Sequence, residues 1–264
     1  MSDPMTLENR FDRLDKFIAE GRIARGTWGS DHGPQETACP IRALVPELRR
    51  FPVTGESWGY ALNTVPSEIM PVWVAGLTVT TNDNVSEENW SEWINRYSQT
   101  MRRAAPALSA EDWSHVHQSF LLTIAETVGR GVTPLTEMQT RCIAEIKDAI
   151  KAREKGYKFG SYTSRVHDLV DPLERAYWRA GDDNKAVSAN AELFLGIASQ
   201  FSQSDYPHSF RSHQAARALY RAAGHPDTDE LDPPKGWDIL AGLFLDTVEA
   251  KIEAKAKGAP NAQD

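Results

Sequence analysis

Apolar residues recur at helical spacing along most of this chain. Leu7, Phe11, Leu14 and Ile18 follow one another at intervals of four, three and four, which is one stripe of an α-helix. With Thr6 as N-cap and Gly21 as the stop, the spacing predicts a helix over 6–20. The period then fails, because Gly26, Gly29, Gly33, Pro34, Pro40, Pro46, Pro52, Gly55 and Gly59 interrupt the stretch 21–66, leaving room only for a short helix at about 41–49. A second short helix is expected after Ser67, turning Ile69, Met70, Trp73, Val74 and Leu77 inward and ending at the polar turn Thr80-Thr81-Asn82-Asp83-Asn84.

Stronger patterns follow. Ser86 is placed to cap a helix in which Trp90, Trp93, Ile94, Tyr97 and Met101 share a face as far as Ala104, before Pro106. Ser109 with Asp112 opens another, with Trp113, Val116, Phe120, Ile124 and Val128 inside and Gly129 near its end. Thr133-Pro134 reads as an N-cap followed by the position proline favours, and Leu135, Met138, Cys142, Ile146 and Ala149 continue inward to Gly156, the longest helix expected. Residues 164–180 read as helical with a break at Asp171-Pro172, since proline removes a backbone donor and clashes with the preceding turn. After a loop at Gly181-Asp182-Asp183, helices are predicted over 185–201 (Val187, Asn190, Phe194, Ile197 and Phe201 on one stripe), 209–223 and 236–255.

No segment alternates apolar and polar over six residues, and Val79-Thr80-Thr81 is the only candidate for a stub of strand. The predicted architecture is all-α, an irregular bundle of about eight to ten helices forming a single domain over 1–255, with 129–133 as the place where it would subdivide. Residues 256–264 are small or polar and are expected to be a disordered tail. No repeat of fixed period is visible, which argues against a solenoid.

Composition narrows the function classes. The 29 Lys and Arg against 37 Asp and Glu give a formal charge of -8, opposite to the basic excess of a general nucleic-acid binder. That sum leaves room for a local basic site, because screening confines phosphate affinity to about 8 Å. Cys39 and Cys142 belong to no CxxC, so zinc ribbon, redox pair and disulfide scaffold lose support. Cys142 falls on a core stripe, where a thiol acts as a small buried hydrophobe. The acidic N-terminus Met1-Ser2-Asp3-Pro4 lacks the basic flank and apolar core of a signal peptide, and no apolar run nears the ~18 residues of a membrane span. A cytoplasmic protein without membrane contact is the expectation.

The chain contains no GxxxxGK[ST], no strand-to-helix GxGxxG, no GxSxG and no HExxH, which removes P-loop, Rossmann, hydrolase-elbow and zincin readings. No cofactor is expected. His167-Asp168, with His115 or His117 upstream, invites comparison with HD-type metal phosphohydrolases, but Val166 and Leu169-Val170-Asp171-Pro172 do not match that family. His115 and His117 lie about 200° apart on a regular helix and cannot face one metal together. One at the core edge and one toward solvent is the simpler expectation.

Two stretches remain as candidate ligand sites. His213, Arg217 and Arg221 are spaced four and four, a cationic stripe with His208 and Arg211 before it and Tyr220 beside its end. Guanidinium forks suit phosphate or carboxylate, and an aromatic can stack on a ring; the same stripe is equally a solvated face pairing with surplus acids. Trp28-Gly29-Ser30-Asp31-His32-Gly33 is polar, glycine-rich and irregular, so Trp28, Asp31 and His32 are candidates to line a pocket, while Trp28 as a plug of the bundle end is the competing account.

The order Gly26-Thr27-Trp28, Thr37-Ala38-Cys39, Ala43-Leu44-Val45-Pro46, then Ile69-Met70-Pro71-Val72-Trp73-Val74-Ala75-Gly76-Leu77 and Trp90 with Arg96-Tyr97, resembles uncharacterised helical proteins encoded in tailed phages and proteobacterial genomes or prophages. The resemblance covers about 11–128, and the chain departs after Gly129 from the alanine-rich helices of that group. It implies an all-α fold and a phage or mobile-element setting, with no catalytic residues to carry over. Absence of catalytic motifs, together with eight tryptophans, points to a non-enzymatic interaction protein that binds a host protein or itself. A binder of a small anionic ligand, such as a nucleotide, is the alternative, and an HD-like phosphohydrolase the third.

Overall fold

The computed structural model describes residues 5–30, 35–50, 61–157, 160–180, 185–202, 212–225 and 233–258. The elements are helical throughout, as expected, and the one β contact among the described residues is an isolated parallel bridge between Ile23 and Ala38. Among the described residues ten α-helices reach eight residues or more, joined by the five-residue α2 (Pro40–Leu44) and a 3-10 helix (Pro46–Arg50). The chain divides into two compact units, Met1–Ala110 with Val248–Asp264, and Glu111–Thr247.

In the first unit, α1 (Leu7–Ala19) is capped as its sequence demands, Thr6 accepting from the Asn9 N–H at 3.2 Å. Phe11 and Leu14 are buried against α2 and α4 (Glu87–Ala107). Arg10 crosses from α1 to the Leu44 carbonyl at 3.0 Å and takes the Glu47 carboxylate with two bonds, 2.8 and 3.0 Å. The single helix expected over 41–49 is thereby two, since Pro46 cannot donate to a continuing α-ladder and the chain tightens into the 3-10 turn.

The irregular stretch is held by its own backbone. Ser30 and Thr37 exchange N–H···O bonds at 3.0 Å each, and the Cys39 N–H donates to the Trp28 carbonyl at 3.1 Å. Gly29 sits at φ 97 where a Cβ would lie 2.1 Å from the Thr37 carbonyl oxygen, so this crossing admits only glycine.

The next helix, α3 (Val72–Asn84), starts later than expected and runs straight through Thr80–Asn84, correcting both the polar turn and the strand stub. Pro71 occupies the N-cap position, delaying the start. The polar run stays helical because Thr78 and Thr80 donate to the carbonyls of Val74 and Gly76 (2.7 and 3.0 Å), and the Asn84 amide to Thr80 (2.8 Å). Asn82, fully buried, donates to Ala24 O at 2.8 Å and accepts from the Trp90 indole at 3.1 Å. Arg25 donates to Asn82 O at 3.0 Å, closing the helix C-terminus where a cation complements the dipole. α4 then keeps Trp93, Ile94, Tyr97 and Met101 inside and carries Pro106 in its last turn.

In the second unit, α5 (Ala110–Gly129) buries Trp113, Val116, Phe120, Ile124 and Val128, the whole expected stripe. α6 (Glu137–Glu154) begins at Thr136 rather than Thr133, because Thr136 and Gln139 form a reciprocal capping box. Cys142, Ile146 and Ala149 are buried, while Leu135 and Met138 are half-exposed. It is not the longest helix, having 18 residues against 25 in α11 (Pro234–Gly258). The break expected at Asp171-Pro172 falls earlier, between α7 (Gly160–His167) and α8 (Val170–Ala180), since the first turn of α8 tolerates Pro172 without losing a bond. α9 (Lys185–Ser202) packs against α6, α7, α8 and α10 (Ser212–Ala222), burying Asn190, Phe194, Ile197 and Phe201. α10 is described from Ser212 to Ala222, the expected start at 209–211 lying outside the described residues, and α11 extends the expected 236–255 through Gly258 before the last six residues, which also lie outside the description. The loop at 181–183 also lies outside the described residues.

Candidate functional site

The expected cationic stripe exists on α10, but it is graded rather than solvated. His213 is exposed, Arg217 half-buried and Arg221 only 8% exposed. A helix one face of which dips into a core must carry its four-residue stripe from solvent inward, and a guanidinium at the last turn complements the negative end of the dipole. His213 meets the ring of Trp237 edge-on, centroids 5.1 Å apart, and Tyr220 stacks on His225 at 4.6 Å and 22°. α11 approaches this helix so closely that a Cβ on Gly236 would lie 2.1 Å from the Ala216 carbonyl oxygen. Trp237 is fully buried, and its indole N–H meets no acceptor among the described residues. The cluster therefore presents donors, suited to an anion, although His213, Arg217 and Arg221 already hold interactions within the fold.

The other candidates disperse. Trp28 belongs to the first unit and is 5% exposed, its carbonyl taking the Cys39 N–H and, at 3.4 Å, the Arg42 guanidinium. Asp31, His32, His208 and Arg211 lie outside the described residues. His167 and Asp168 are both exposed, at the break between α7 and α8. His115 and His117 are each half-buried, not one in and one out; His115 lies 4.0 Å from the Glu111 carboxylate, and burial holds the His117 imidazole down to about 4. Among the described residues no group of three His, Cys, Asp or Glu could hold a metal ion, so the phosphohydrolase comparison finds no gathered ligands to rest on.

The two thiols are inert by position. Cys39 and Cys142 are fully buried, and desolvation pushes each up to about 12, far from the thiolate a nucleophile or ligand needs. No helix among the described residues is long and apolar enough to cross a membrane.

Sequence reasoning missed the outward face of α8. Trp178 is 72% exposed, while Trp28, Trp73, Trp93, Trp113 and Trp237 are all buried. Five tryptophans are thus core packing, and among the described residues Trp178 is the exposed one. The ring of Tyr177 meets Trp178 edge-on at 5.2 Å and 62°. Arg175 and Arg179 are exposed beside it, as are Asp171 and Glu174. The signal was present in the spacing: Leu173 and Tyr177 lie on the inward stripe of α8, and Trp178, one position on, is rotated about 100° out of it.

No protein-family model, no curated protein and no solved structure matches the chain.

Proposed function

We propose that the chain is a non-enzymatic interaction protein, an accessory or counter-defence factor of phage type that acts by binding a host protein or another copy of itself. The observation that carries this reading is the exposed Trp178 between the guanidinium-bearing Arg175 and Arg179. Tryptophan and arginine are the residues most enriched in binding hot spots, and burying an indole this exposed removes a large apolar area from water. The phage setting rests on the resemblance of the first half alone. The test is a pull-down from bacterial lysate with wild type and Trp178→Ala side by side, together with light scattering on the purified chain. A strict monomer that retains no partner, or retention indifferent to Trp178, counts against the reading.

A second reading, a small anionic ligand held on α10, draws its support from the buried Trp237 N–H beneath His213 and from the Tyr220–His225 stack. A thermal-shift screen against nucleotides and cyclic dinucleotides tests it, because ligand at about 100 times its dissociation constant adds roughly 2.7 kcal/mol to stability. No shift with any nucleotide, or an Arg217→Ala variant that shifts as far as wild type, removes it.

A further inference from the structure

We infer that the outward face of α8 is a self-docking surface, on which a second copy of this chain lays its own α8 antiparallel to the first. The inference rests on the interaction reading above and names the partner.

Leu173 is 1% exposed and turns inward, which leaves Asp171, Glu174, Arg175, Trp178 and Arg179 outside. At spacings of three and four these five residues form one continuous surface of the helix. Among the described residues neither Arg175 nor Arg179 has an ion-pair partner. Their guanidinium groups and the indole are therefore available together.

The charge order decides between occupants. Read from the N-terminus, the face runs acid, acid, base, aromatic, base, so it carries no net charge. A nucleic-acid strand would meet the carboxylates of Asp171 and Glu174 as well as the two arginines, which disfavours a phosphate backbone on a chain already at -8. An antiparallel copy meets the same order reversed. A two-fold axis passing Arg175 sets Asp171 across from Arg179 of the other copy, twice, and brings the two Arg175 side chains together at the axis, each beside a Glu174 carboxylate. The two Asp171–Arg179 pairs and the two Glu174 carboxylates offset the Arg175 pair at the axis, and closed two-fold dimers are the commonest assemblies. Placing acids at the start of a helix and bases at its end also suits the helix dipole, but the dipole gives no reason for an exposed tryptophan among them.

The contact is small. Eleven residues of helix extend about 16 Å, and a stable dimer buries on the order of 800 Å² per partner, so the association is expected to be weak, with a dissociation constant above about 1 μM.

The experiment is sedimentation velocity on the full chain across roughly 5 to 500 μM, with circular dichroism confirming that every variant folds. The mass is expected to rise with concentration from 29.4 kDa toward twice that value. Trp178→Ala should weaken association at least tenfold, and Arg179→Asp should do the same by setting like charges against each other. Combining Arg179→Asp with Asp171→Arg should restore association, because each reversed residue then meets its reversed counterpart. A monomer at every concentration, or a dimer that ignores all three variants, overturns the inference. If the chain is monomeric yet captures a lysate protein in a Trp178-dependent way, self-docking falls and the interaction reading stands; a monomer with no Trp178-dependent capture overturns both.

Discussion

Arg96 grips Glu249 across 153 positions of sequence, donating to its two carboxylate oxygens at 3.2 and 2.7 Å while Thr100 donates to the same carboxylate at 2.6 Å. α4 is thereby joined to the C-terminal part of α11 within the first unit. The Arg96 bonds, aided by Thr100, hold the Glu249 carboxyl below its ordinary value against the opposing effect of burial.

Replacing Glu249 with Gln should lower stability at neutral pH by about 1 kcal/mol, a modest figure because both partners are partly exposed and screened. The depressed folded value fixes the sign: the contribution is present in full above the unfolded carboxyl value and is lost as pH falls through the folded one. Urea titrations of both proteins should therefore differ at pH 7 and converge in strong acid. A difference that persists there would show that the loss is packing and not the ion pair.

His117 carries the opposite kind of test. Its imidazole, at about 4 against an ordinary 6.5, is neutral in the folded chain and binds its proton first in the unfolded one. Stability should thus be complete above about pH 6.5 and fall as pH drops toward 4, by on the order of 2 kcal/mol. His117→Gln, which cannot titrate, should flatten that interval relative to wild type in denaturant titrations run across it.

Neither thiol should react in the folded chain. With Cys39 and Cys142 buried and pushed to about 12, an aromatic disulfide reagent at pH 8 should label none in buffer and both in denaturant. Rapid labelling of either one in buffer would mean that the structure packed around it opens readily.

Gly236 and Gly242 lie on the same helix and should respond in opposite directions to alanine. A Cβ at 236 would meet the Ala216 carbonyl at 2.1 Å, so Gly236→Ala should cost about 3 kcal/mol and perturb the α10 cluster. Nothing lies within 4 Å of a Cβ at 242, where helix propensity should make Gly242→Ala stabilising by up to about 1 kcal/mol. Thermal melts of the two variants check the contrast.

What the sequence determined by itself was the set of long amphipathic helices. The stripes of α5 and α9, and Phe11 with Leu14 on α1, were legible because a period of 3.6 positions is a local property, readable without knowing what the stripe packs against; on α1 Phe17 is buried where Leu7 and Ile18 were expected to be. Cys142 was legible as core for the same reason. Helix ends were less so, since competing local bonds decide them: Thr136 with Gln139 outdid Thr133-Pro134, and side-chain bonds to preceding carbonyls kept Thr80–Asn84 helical where composition said turn. Tertiary structure alone decided the fate of charged and aromatic side chains. Arg221 is buried and His213 exposed on one apparently uniform stripe, and Trp178 stands in solvent while five other tryptophans fill cores. Periodicity assigns a residue to a face of its own helix, but burial depends on which neighbouring helix covers that face and how far along it reaches, and those neighbours arrive from remote parts of the chain.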